Sequence, residues 1–209
     1  MVCLALKDLN DLGDQFFTWE MATVVAGQRL SINLFDQPNV ESAKILARQM
    51  VAAYQESGTL PELATATLSA DSLANFMQQA KAGDYVAIQA YVQPTPATDQ
   101  ALNALRLALR NRYRLATTVG YGPRFLHSTG QLHKGDGGNG LFIQFTSDAT
   151  QDLPIPDAAG KTESAISFDV LKHAQALGDV QSLKSSNRRL SRFQLGKDVV
   201  GGLHTVRGK

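Results

Sequence analysis

Lys44 sits where an ammonium group is hardest to explain as packing. In residues 33–44 a polar turn (Asn33, Asp36, Gln37, Pro38, Asn39) feeds a helix. At a 3.6-residue period Val40, Ala43, Ala47, Val51 and Tyr54 fall in one apolar stripe, with Lys44 inside it. An ammonium there either snorkels past its apolar neighbours or is aimed at a pocket that takes an anion. A second group of reactive residue types lies at 120–135, Gly120-Tyr121-Gly122-Pro123-Arg124-Phe125-Leu126-His127-Ser128-Thr129-Gly130-Gln131-Leu132-His133-Lys134-Gly135. It holds two of the chain's four histidines, an arginine, a lysine and two hydroxyls between glycines, a mixture that no apolar core requires.

Gly120, Gly122 and Pro123 ahead of a short helix can either close a tight turn or present backbone N–H groups to a phosphate, with Arg124 and Lys134 supplying charge. The dinucleotide fingerprint is absent, because Leu126 stands where its last glycine belongs, and so is the Gly-Lys-Ser/Thr of a P-loop. If the helix runs on, Arg124, His127 and Gln131 share one face. His133 then ends the helix beside Lys134, where an imidazole can move a proton. The spacing of His127 and His133 does not suit the i,i+4 pair of a helical metal site, so no metal is expected. Ser128 and Thr129 lack a nucleophile elbow. His173 beside Lys172 reads as surface, and Arg188, Arg189 and Arg192 read as solvated charge near a strand.

The elements that must position these residues alternate. A mostly apolar helix spans 14–29, the turn at 33–39 opens a helix over 40–57 that stops at Gly58, and Ser69 or Asp71 caps a helix over 72–81. Strands follow at 85–92, 115–119, 141–146 and 190–195, separated by a helix over 98–113, the segment at 120–135 and a helix over 168–185; a glycine-rich tail closes the chain. Strands spaced by helices predict an α/β fold, a three-layer sandwich around a mostly parallel sheet. The N-terminal helices at 14–57 and the α/β body at 84–195 are expected to make one domain over 1–209. Ligands of such sheets sit at the carboxyl ends of the strands, so the segment after the second strand should project from that edge.

At 209 residues with 44% hydrophobic content, the chain has ample material for a core. Its 20 basic and 19 acidic residues leave a net charge of +1, which gives no field to attract nucleic acid or an anionic membrane. Cys3, the sole cysteine, has no internal partner, and the first residues do not resemble a secretory signal, so a cytoplasmic protein is expected.

Phe35-Asp36-Gln37-x-x-Val40-Glu41-x-x-Lys44 resembles the C-terminal signature of the phosphoglucose isomerase family, which carries its active-site lysine; Asn39 stands where that signature prefers glycine or alanine. The segment Gly120–Gly135 is similar to the isomerase-like end of bifunctional transaldolase/phosphoglucose isomerase proteins, and the resemblance spans about 15–195. It implies a sugar-isomerase-like fold and the interconversion of glucose 6-phosphate and fructose 6-phosphate, with no metal and no cofactor. It implies Lys44 as the ring-opening or charge-stabilising lysine, Gln37 positioning groups in the same turn, and His133 as the matching histidine. Glu41 would orient, and Arg124, His127, Ser128, Thr129, Gln131 and Lys134 would bind substrate. No carboxylate matches the family's catalytic glutamate, and the phosphate-binding domain that normally precedes the signature is largely absent. A transaldolase barrel of about 250 residues does not fit either. The expected role is therefore an isomerase portion acting with a complementing isomerase or transaldolase chain, or as a homo-oligomer; the alternative is a non-catalytic sugar-phosphate-binding or assembly domain.

Overall fold

The structure, a computed structural model, describes residues 3–208, so residues 1, 2 and 209 of the expected single domain lie outside it. The chain divides into two compact units, Met1–Gln37 and Pro38–Lys209.

The first unit is a 21-residue helix, α1 (Asn10–Leu30), and the turn that follows it. Ser31 ends α1 in the left-handed conformation at φ 55°, and its N–H and that of Ile32 return to the last turn's carbonyls. Leu34 then folds onto Gly27, leaving no room there for a Cβ. Asn33 closes the turn, accepting from the Phe35 N–H at 3.1 Å and donating to Asp36 at 2.9 Å.

The second unit is built on a four-stranded sheet. Its strands are β1 (Tyr85–Tyr91), β2 (Ala116–Tyr121), β3 (Gly140–Thr146) and β6 (Arg189–Gln194), in the order β2-β1-β3-β6 and all parallel. A two-residue antiparallel pair, β4 (Pro154–Ile155) and β5 (Ile166–Ser167), lies in the loop after β3. The helices are α2 (Pro38–Ser57), α3 (Ala70–Met77), α4 (Pro96–Tyr113), α5 (Gly130–Gly135), α6 (Phe168–Ser185) and α7 (Val199–Arg207). Ser69, Thr95, Ser167 and Asp198 cap α3, α4, α6 and α7 by accepting first-turn N–H groups. The result is a mixed α/β fold with a parallel sheet covered on both faces, a generic Rossmann-like sandwich. None of its helices among the described residues is long and apolar enough to cross a membrane.

The two faces of the sheet differ. Val86, Ile88, Ala90, Ile143 and Phe145 point to one side and pack with α3, α4 and α7 into the main hydrophobic core, through Met77, Leu102, Leu105 and Leu203. The other side carries Gln89, Tyr91, Gln144 and Thr146, all fully buried beneath α5 and α6. Gln89 and Gln144 are register partners at the centre of the sheet. α2 lies against α6, where Met50 meets Ala174 and Leu177. The crossing is tight at Gly178: a Cβ there would come within 2.6 Å of the Ala47 backbone nitrogen.

The arginine group at the start of β6 is not solvated charge. Arg188 donates to the His133, Lys134 and Asp136 carbonyls at 3.3, 2.6 and 2.8 Å and pairs with the Asp136 carboxylate, so it collects the orphan acceptors at the C-terminus of α5. Arg189 pairs with Asp84 at 2.8 Å and holds its carboxyl below the usual carboxylate value. Each guanidinium ties strand to loop because five N–H donors in a fixed fork can serve several carbonyls at once.

Candidate functional site

α2 and the segment 120–135 lie side by side. Gln131 accepts the backbone N–H of Asn39 at 3.0 Å, so a side chain of α5 serves the first turn of α2. Val40, Ala43, Lys44 and Ala47 of α2 face Pro123, Leu126, His127, Gly130 and Lys134 across a small crevice of about 60 Å³, which Gln175 of α6 closes. The two stretches that looked chemical in the sequence therefore form one surface.

Lys44 snorkels out of its stripe. Ala43 beside it is buried, whereas the Lys44 side chain is 51% exposed and its ammonium meets Glu41 at 3.6 Å. Glu41 is shared with Arg48 at 3.5 Å, so its carboxylate serves two cations and is not a free base. His127 is exposed at the rim of the same crevice, and Arg124 is exposed on the 3-10 turn (Arg124–His127) that carries both. Gln37 is the exposed last residue of the first unit.

Lys134 reaches the crevice from beneath with its charge already committed. Its ammonium pairs with Asp179 of α6 at 2.5 Å, both side chains being fully buried. Burial pushes the Asp179 carboxyl above its ordinary value, against the pull of Lys134. Tyr91, also fully buried, is pushed well up by burial and by Asp179.

His133 does not line the Lys44 crevice. Its ring lies between Phe125 and Phe142, with centroids 5.7 and 5.1 Å away, and Gln89 donates to Nδ1 at 3.3 Å. Burial, then the neighbouring Lys134 charge, lowers its pKa to about 4, so the imidazole is neutral near pH 7. It faces a recess of about 640 Å³ beside the edge strand β2, shared with Ser128, Thr129, Leu132 and Asp136. The Ser128 and Thr129 hydroxyls donate to the Phe125 carbonyl at 3.2 and 3.1 Å.

Another hollow lies at the carboxyl ends of the strands. β1 leads to β2 on one side and β3 to β6 on the other, so the crevice between β1 and β3 is the topological switch point. About 510 Å³ opens there, between Val92–Thr95 after β1, Gly122 and Pro123 after β2, Ser147–Gln151 after β3 and Lys197–Val200 after β6. Lys172 reaches its wall, donating to the Ser147 carbonyl at 2.9 Å and pairing with Asp169 at 2.7 Å. Lys197 forms no ion pair among the described residues. The sequence placed the segment after β2 at this edge, and Gly122 and Pro123 are there. Thr95 and Lys197 went unnoticed, and Lys172 was named only as the neighbour of a surface His173; Pro96 after a threonine is a helix-start signal that points at Thr95, but nothing local marks the two lysines.

No family model matches the chain, and no curated protein matches it. The fold has a solved counterpart. A hypothetical protein from Thermus thermophilus is similar over 77% of this chain, with a TM-score of 0.50 and 16% identity. The chain spans 42% of the length of that protein, and at this identity the similarity shows a shared fold alone.

Proposed function

We propose that this chain is the C-terminal portion of a phosphoglucose isomerase, most like the isomerase-like region of bifunctional transaldolase/phosphoglucose isomerase proteins, with its α/β unit a sugar-isomerase-like domain. The observation that carries the proposal is the shared crevice. Lys44 of the one signature and Pro123, Leu126 and His127 of the other line a single surface although about 80 positions separate them. A sugar-phosphate isomerase needs a donor at the ring oxygen, donors for the developing enediolate, and a carboxylate over the C1–C2 bond. An exposed ammonium with one carboxylate 3.6 Å away can serve the first two tasks. The third falls to a second chain, because Glu41 and Asp179 are each held by a cation. Catalysis here is thus composite: this chain supplies Lys44 and the partner supplies the phosphate loops and the base.

The test is coupled conversion of fructose 6-phosphate to glucose 6-phosphate. The purified chain alone should be silent. Added to a glucose-6-phosphate isomerase truncated before its own lysine segment, it should restore metal-independent turnover, and Lys44→Ala should lower that turnover by about 10²–10³-fold. Equal restoration by Lys44→Ala would defeat the proposal.

A second reading, a non-catalytic sugar-phosphate-binding domain, is favoured by the hollow at the switch point with Lys172 and Lys197 on its wall. Calorimetry with glucose 6-phosphate decides it: heat of binding that disappears in Lys197→Ala but survives Lys44→Ala supports this reading over the first.

A further inference from the structure

We propose that Gln89 is a positioning residue for His133: its side-chain carbonyl accepts the Nδ1 proton of the imidazole, which leaves Nε2 bare as a hydrogen-bond acceptor. The inference does not depend on the composite site, because His133 does not line the Lys44 crevice and every residue it uses lies within Pro38–Lys209.

The warrant is a pair of unmet groups at the centre of the sheet. Gln89 and Gln144 are register partners on neighbouring parallel strands, and both are fully buried. Neighbouring strands lie about 4.8 Å apart, so the two side chains stand next to one another on the face beneath α5 and α6. The Gln144 nitrogen donates to the Ala176 carbonyl at 3.1 Å. A backbone carbonyl can only accept, so this bond fixes which way the Gln144 amide faces. With Gln89 donating to Nδ1, the oxygens of both amides are buried without a donor among the described residues. A buried carbonyl gives up its hydration and recovers nothing unless a donor meets it.

Turning the Gln89 amide through a half-turn supplies both donors. Its oxygen then takes the place 3.3 Å from Nδ1 and accepts the proton of that nitrogen. Its nitrogen takes the vacated place and donates toward the Gln144 oxygen. The two orientations of a planar amide fill the same space, so hydrogen bonding alone chooses between them. The donors now run one way, from His133 through Gln89 and Gln144 to the Ala176 carbonyl, and each bond polarises the next.

The rest of the ring's surroundings hold it in place for this. Phe125 and Phe142 flank it at 5.7 and 5.1 Å, and Arg188 donates to its backbone carbonyl at 3.3 Å. With a pKa lowered to about 4 by burial and then by Lys134, the imidazole carries one proton at neutral pH. Nε2 makes no hydrogen bond among the described residues, and His133 lines the recess beside β2. There the Ser128 and Thr129 hydroxyls are turned to the Phe125 carbonyl, and Asp136 is taken by Tyr85 and Arg188. The bare nitrogen therefore offers a lone pair, which an O–H or N–H group matches and a phosphate oxygen does not.

Nuclear magnetic resonance reads the tautomer directly, because a protonated ring nitrogen and a bare one resonate far apart. The full chain, labelled with the heavy nitrogen isotope, is recorded near neutral pH by proton–nitrogen correlation across the histidine rings. His133 is assigned from the signals that vanish in His133→Gln. The expected result is a protonated Nδ1 and a bare Nε2. A protonated Nε2, or one averaged signal for both nitrogens, overturns the inference. Gln89→Met and Gln144→Met, near in volume, each remove one link, and each should move the Nδ1 signal toward the bare position. The His133 ring protons should keep their shifts from Phe125 and Phe142, which reports that the variant is folded. An unchanged Nδ1 signal in either folded variant also overturns the inference. The wild-type spectrum decides the polarity whether or not a variant folds.

Discussion

Replacing Lys134 by methionine should damage stability far more than any binding function, and the cost follows from its surroundings. Both members of the Lys134–Asp179 pair are fully buried at 2.5 Å separation, and the second Asp179 oxygen has no hydrogen-bond partner among the described residues. Removing the lysine strands an uncompensated carboxylate, which typically costs about 3–5 kcal/mol. For a chain of this size each kcal/mol moves Tm by about 2–4 °C, so a drop of roughly 6–20 °C is expected by calorimetry or by urea melts. The double variant Lys134→Met/Asp179→Leu should recover most of the loss, because two apolar groups of similar volume replace a pair that had to be desolvated. Loss of the lysine raises the Asp179 pKa further above its ordinary 3.8. The folded variant then binds more protons than the unfolded chain between that value and the raised one, so its stability falls as pH rises through this window. Its deficit against wild type should accordingly shrink as pH is lowered toward 4. A cost below about 1 kcal/mol, or a deficit that does not change with pH, would refute the structural role and make Lys134 a substrate ligand again.

Three further outcomes are expected. His133 is neutral in the fold, with its pKa lowered from 6.5 to about 4; the unfolded chain takes up its proton first, so stability is lost as pH falls from 6.5 to 4, by roughly 3 kcal/mol. Urea melts of His133→Gln should lack that slope, and an unchanged slope would show that another group supplies it. Gly178→Ala should destabilise by about 1 kcal/mol or more despite a helix-propensity gain of similar size, because its Cβ would meet the Ala47 nitrogen at 2.6 Å and neither helix backbone can yield alone; a stabilised variant would mean that the crossing is loose. Gly122→Ala should also destabilise, since its Cβ would lie 2.6 Å from the buried Tyr91 ring, and the displaced Pro123 should alter the reactivity of Lys44 toward an acylating probe; unchanged labelling would separate that turn from the crevice.

Local patterns made much of the fold legible. The helix expected at 168–185 is Phe168–Ser185, and the four strands lie within two residues of their expected ends, because alternating apolar runs between turn residues leave few other options. The expected helix at 72–81 ends at Met77, where Gln78 bends into a turn well before Gly83. The tail at 199–207 was hidden by Gly201 and Gly202, yet it is α7; Gly202 lets Leu195 pack closely, its side chain coming 3.0 Å from where a Cβ would be, and Asp198 is the cap that could have revealed it. The site was less legible for a different reason. Sequence spacing relates neighbours on one helix, whereas Lys134–Asp179, Gln131–Asn39 and the Arg188 contacts join residues 45 or more positions apart. Such pairings are set by strand order and helix crossing, which no local period encodes. The apolar stripe of α2 is visible in its period, but whether Lys44 escapes or enters it depends on the neighbour that α5 supplies.

The α2–α6 crossing carries a cost during synthesis. α2 is synthesised before its partner α6, which is complete only when residue 185 has been added. At about 5–20 residues per second, the surface around Ala43, Ala47 and Met50 waits on the order of ten seconds for Ala174, Leu177 and Gly178. The strand order lengthens the wait, because β1 gains β2 first and cannot pair with β3 until residue 146. A nascent chain of this topology holds the apolar face of α2 open until α6 has been added. Ribosome-associated holdases should therefore bind stalled chains that end before residue 168 and release those in which α6 has cleared the exit tunnel.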